Sequence, residues 1–101
     1  MTYYLGIFPT PGGDKHHLFS LTEHGGTITN SMGPVVLEDF TQTAEGFFCD
    51  MPAGPGKHHF EAIYIDSGIH VKGTVFMEGN PVGTYEADMD RVSSGELPAD
   101  P

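Results

Sequence analysis

Residues 69–77 set the pattern for the chain. In Ile69-His70-Val71-Lys72-Gly73-Thr74-Val75-Phe76-Met77, the side chains of Ile69, Val71, Val75 and Met77 share one face, while His70, Lys72 and Thr74 share the other. A period of two is the signature of a half-buried strand, because successive side chains point to opposite sides of a pleated backbone. Residues 82–92 repeat it. Tyr85, Ala87 and Met89 point one way, and Glu86, Asp88 and Asp90 the other, so the strand has a solvated acidic face. No stretch holds a 3.6-residue period long enough for a helix.

Between these segments the chain turns often. Glycine (14) and proline (8) cluster at Pro9–Asp14, Gly25-Gly26, Gly33-Pro34, Glu45-Gly46, Pro52–Gly56, Ser67-Gly68 and Glu78–Pro81, leaving only strand-length pieces between them. The spacing predicts strands near residues 2–8, 16–23, 27–32, 35–40, 46–51, 57–66, 69–77 and 82–92. The expected fold is all-β, a small antiparallel barrel or sandwich of about eight strands. Residues 1–92 form the barrel domain in this reading, and 93–101 an acidic disordered tail. A duplication is also expected. Aligning Lys15-His16-His17-Leu18 with Lys57-His58-His59-Phe60 brings Leu21 onto Ile63 and, with one residue inserted, Ile28–Ser31 onto Val71–Thr74.

Gly26-Thr27-Ile28-Thr29-Asn30-Ser31-Met32-Gly33-Pro34 resembles the turn rhythm of small calycin-like and allene-oxide-cyclase-like barrels. Gly73–Glu86 is similar to their closing hairpin. The resemblance covers residues 16–92 and rests on turn glycines. It implies an apolar lumen that binds or cyclises small apolar molecules, and it transfers no catalytic residue.

Charge narrows the partners. The chain carries 14 Asp and Glu against 4 Lys and Arg, a net charge of −10. Such a surface lacks the basic footprint that nucleic acid requires, and it is repelled by an anionic membrane. It favours solubility and steers basic partners. Cys49 is the single cysteine, so no intrachain disulfide forms; between Phe48 and Asp50 it reads as a small buried hydrophobe. The first residues lack a basic leader and a long apolar run, so the expected location is cytoplasmic.

The remaining signal is a motif that occurs twice. A Pro/Gly turn runs into Lys15-His16-His17 and again into Lys57-His58-His59, gathering four of the six histidines. Adjacent residues of a strand face opposite ways, so at most one histidine of each pair looks inward. The apolar neighbours favour His17 (with Phe19 and Leu21) and His59 (with Ile63 and Ile65), with Glu23 and Glu61 as carboxylate partners. Acid–base chemistry would then use His17, His59, Glu61 and Tyr64, with Tyr85 as a further oxyanion donor. Lys15, His16, Lys57 and His58 would bind the ligand. The expected function is a small-molecule-binding barrel acting as a lyase, isomerase or cyclase. One alternative is a metal site, with zinc held by the histidines and Glu61, Asp14 or Cys49, although no recognised ligand spacing occurs. Another is an acidic interaction protein that binds a basic target through Glu86, Asp88, Asp90 and the tail. The partners expected are a small-molecule ligand and, because sheet edges need cover, a second copy in a homodimer.

Overall fold

A computed structural model describes residues 1–101 as nine strands without a helix. They are β1 (Thr2–Thr10), β2 (Gly13–Thr22), β3 (Gly25–Asn30), β4 (Gly33–Val36), β5 (Glu38–Gln42), β6 (Gly46–Ala53), β7 (Gly56–Ile65), β8 (Gly68–Met77) and β9 (Asn80–Val92). Every pairing is antiparallel, in the order β4-β3-β2-β1-β9-β8-β7-β6-β5. Strands consecutive in sequence thus pair in space, except β4 and β5, and β1 pairing with β9 rolls the meander into a nearly closed barrel. The all-β architecture follows the alternation and turn spacing of the sequence.

One expected strand, near 35–40, is two. Leu37 is buried and donates its N–H to the Gly26 carbonyl at 2.9 Å, extending the β3 side. Two residues later Asp39 takes a left-handed φ of 51°, and the chain leaves for the far edge of the sheet. β4 and β5 are therefore the two ends of the sheet, joined through a single buried leucine.

A barrel of this size has an interior just wide enough for side chains, and aromatic rings fill it. Phe8, Phe19 and Phe60 are fully buried, with Phe19 edge-on to Phe60 at 5.5 Å and 88° and to Phe47 at 5.7 Å and 84°. Ile69, Val71 and Met89 complete the packing from β8 and β9. Gly73 has a structural role here: a Cβ at that position would lie 2.5–2.9 Å from the Tyr85 ring, so the missing side chain makes room for Tyr85.

The duplication does not survive. When Lys15 is laid on Lys57, Leu18 falls outside the core cluster whereas its counterpart Phe60 lies at its centre. The two strands are offset by one residue in facing, which inverts every side chain. Beyond Val92 the chain forms no further strand, and the Asp100 carboxylate accepts the His16 N–H at 2.9 Å.

Candidate functional site

Phenylalanine, not the Lys-His-His motif, decides which histidines face inward. In β2 two apolar residues follow the motif, and Phe19 rather than Leu18 enters the centre. In β7 Phe60 follows it directly. Counting back two residues from each phenylalanine gives His17 and His58 as the inward pair. The expected pair of His17 and His59 is corrected accordingly. The misleading signal was Ile63, which shares the His59 face yet is 56% exposed.

His17 and His58 lie at one end of the barrel, beneath the turns at 11–12, 31–32, 54–55 and 78–79. The His17 ring stacks on Phe8 with centroids 4.5 Å apart. Its Nδ1 lies 3.1 Å from the Lys15 carbonyl, which can only accept, so Nδ1 carries the proton. Nε2 then accepts from Asn30 Nδ2 at 3.2 Å. That tautomer is neutral, in keeping with burial holding the His17 pKa below its ordinary value. His58 is lowered too, first by burial and then by proximity to His17. Its Nδ1 sits 2.8 Å from Tyr85 Oη, whose own ionisation burial pushes far up, so a neutral imidazole accepts the phenolic proton. This end is a plug of neutral, hydrogen-bonded rings, and none of the four principal surface recesses is lined by His17 or His58.

The other members of the motifs lie outside. His59 and Lys57 meet on the outer face of β7, where Asp50 accepts from His59 Nδ1 at 2.7 Å and from Lys57 Nζ at 3.1 Å. Burial of Asp50 works to raise its pKa, but those two hydrogen bonds outweigh it and hold the carboxyl below the ordinary range. Glu61 stands 3.9 Å from His59 Nε2, on the solvent side and away from His17. Lys15 Nζ lies 3.5 Å from Asp100, and the outward His16 leaves its Nδ1 buried without a partner. Tyr64 does face inward, but at the opposite end of the barrel. The expected catalytic set of His17, His59, Glu61 and Tyr64 is therefore split among three places. No group of three His, Cys, Asp or Glu side chains is arranged to hold a metal ion, so the expected zinc set is not assembled. Cys49 is buried, and desolvation pushes its thiol up to about 12, which removes it as a nucleophile.

The opposite end is built differently. Under the turns at 23–24, 43–45 and 66–67 lies a recess of about 400 Å³. Tyr4, Leu21, Phe40 and Phe47 contribute to its wall, with Thr22, Glu23, Gln42 and Tyr64 adding polar groups. Phe40 and Phe47 stack at 5.3 Å, and Tyr4 lies 6.5 Å from Phe47. Gln42 Nε2 donates to Tyr64 Oη at 3.0 Å, leaving the Tyr64 hydroxyl proton free to reach a ligand. Burial first, and the nearby Tyr64 second, raise the Tyr4 pKa, so its phenol stays neutral. Tyr64 and Glu23 were expected at a site, but with the histidines; the other lining residues went unrecognised because none belongs to a motif. Their signal was positional: Leu21, Phe47 and Tyr64 are the inward residues nearest the turns that end β2, begin β6 and end β7.

Compared with known proteins, the chain matches no family model, no curated protein and no solved structure.

Proposed function

We propose that the protein binds a small molecule, and that the ligand enters the aromatic recess rather than the Lys-His-His end. The recess itself carries this reading. Its volume of about 400 Å³ falls in the range typical of ligand pockets, which are mostly apolar with a few placed polar groups. Phe47, Tyr4 and Leu21 form a buried floor, and the Tyr64–Gln42 pair offers one oriented hydrogen bond. By contrast His17 and His58 spend their hydrogen bonds on Asn30, Lys15 and Tyr85. Acid–base turnover at those histidines, as a lyase or isomerase, would have none of the four principal recesses to hold its substrate.

The test is an amide NMR titration with benzyl alcohol and with indole. Saturable shifts centred on Tyr4, Leu21, Phe40, Gln42, Phe47 and Tyr64 support the reading. Shifts centred on Phe8, His17 and His58 return the site to the histidine end.

A second reading, an acidic surface that takes a basic partner, is favoured by one feature of β9. Arg91 N–H is donated to Ser67 on the β8 side, so by alternation Thr84 and Glu86 turn their main-chain groups toward β1. The β1–β9 ladder ends at Gly6–Met89, before it reaches them. An extended lysine-rich segment could pair there beside Glu86, Asp88 and Asp90. A lysine-rich peptide that shifts amides 84–90 would support it, and one that shifts none would remove it.

A further inference from the structure

We infer that the ligand of the aromatic recess is an organic cation of the alkylammonium class. The inference rests on the small-molecule reading above and adds the sign of the ligand's charge. Four rings line the recess, those of Tyr4, Phe40, Phe47 and Tyr64, and no Lys, Arg or His side chain does. The face of an aromatic ring carries negative potential, and clustered rings recognise quaternary ammonium groups. The half-buried Phe40 and the exposed Tyr64 are the rings whose surface a cation can reach, while Phe47 and Tyr4 are buried behind them, Phe47 stacked on Phe40.

The side-chain charge of the rim agrees. Glu23 is the one charged side chain among the lining residues, and it is an acid; the one opposing charge there is the α-ammonium group of the exposed Met1. The nearest ionic partner of Glu23 is the exposed His24, 3.3 Å away. The whole protein adds a net charge of −10, which concentrates cations near its surface and repels anions. A carboxylate or phosphate ligand would meet no Lys, Arg or His side chain in the recess, only the solvated Met1 α-ammonium at its rim. The Tyr64 hydroxyl supplies the remaining contact, donating to an oxygen carried on the same ligand as the ammonium group.

Choline and dimethylbutanol, its uncharged isostere with carbon in place of the quaternary nitrogen, provide a matched pair of probes. Their shape and hydroxyl are shared, so any difference in affinity reports the charge. Amide NMR titrations of the intact chain at low salt measure both. Choline is expected to bind about three- to thirtyfold more tightly than dimethylbutanol. The preference should shrink in Phe40→Leu and Tyr64→Leu, which keep apolar bulk and lose the ring. In Glu23→Gln, which changes an exposed position with no packing role, it should shrink by a smaller factor.

Equal affinities for the two probes would overturn the cation inference and leave the small-molecule reading standing. Absence of saturable binding by either would overturn both. A choline preference that survives undiminished in all three variants would show that the cation sits elsewhere on the acidic surface, and would overturn the assignment to this recess.

Discussion

The same three residues, Lys-His-His, open β2 and β7, and the two strands put them on opposite faces. In β2 the second histidine, His17, is buried against Phe8, and the first lies outside. In β7 the first, His58, meets Tyr85 inside, and the second binds Asp50 outside. What differs is the position of the phenylalanine that follows. Phe19 and Phe60 meet edge-on at the barrel centre, and each draws inward the histidine two places before it. A repeated motif therefore need not be a repeated site. Register belongs to the largest buried side chain, because a slip of one residue would move that ring into water.

The most severe way to break the comparison is to remove its anchor. Phe19→Ala and Phe60→Ala should each cost about 3–5 kcal/mol of stability, the range for emptying a packed aromatic site. The rings touch, so the double variant should depart from the sum of the single ones. Chemical denaturation of the four proteins checks both statements. Strict additivity would mean the two phenylalanines do not share one packing unit.

A smaller effect separates the faces. His58→Phe keeps an inward ring but leaves Tyr85 Oη without its partner, and should cost about 1–3 kcal/mol. His16→Leu removes an outward ring whose Nδ1 has no partner, and should stay within about 0.5 kcal/mol. Equal costs in the same denaturation assay would erase the distinction between inside and outside.

The smallest effect is the pH dependence. His17 and His58 have folded-state pKa values below the ordinary 6.5. Above that value both rings are neutral whether folded or unfolded, and neither affects stability. As pH falls through 6.5 the unfolded chain takes up protons that the folded chain refuses, so stability declines until the folded pKa values are reached. His70 has the opposite sign. Hydrogen bonds donated to Glu86, then Asp88, raise its pKa, so its contribution is present below 6.5 and fades as pH rises through the folded value. That ring is solvated and its pairs are screened, so the buried histidines should set the net slope. A melting temperature that falls between pH 7 and pH 5 agrees with this account; one that rises contradicts it.

Much of the fold was legible because strands announce themselves by alternation. Tyr85, Ala87 and Met89 face inward, and Glu86, Asp88 and Asp90 outward, as the period of two requires. The corner at Leu37 was not legible, since a buried leucine between Val36 and Glu38 looks like an ordinary strand interior. The facing of β7 was misread because Ile63 and Ile65 suggest a buried face, whereas Phe60 outweighs them in buried area. The recess was hidden for another reason. Leu21 on β2 is far in sequence from Phe40, Phe47 and Tyr64 on β5, β6 and β7, and only the closure of the meander gathers the four at one end.

The inward placement of His17 and His58 is the hinge of the account, and ring-nitrogen NMR of the six histidines tests it most directly. Recorded across pH, the spectra should show His17 as a neutral ring protonated at Nδ1, with His17 and His58 titrating below 6.5 while His70 titrates above it. If His17 and His58 instead titrate at or above 6.5 as solvated rings do, they are not the buried pair, and the facing assigned to both strands is wrong.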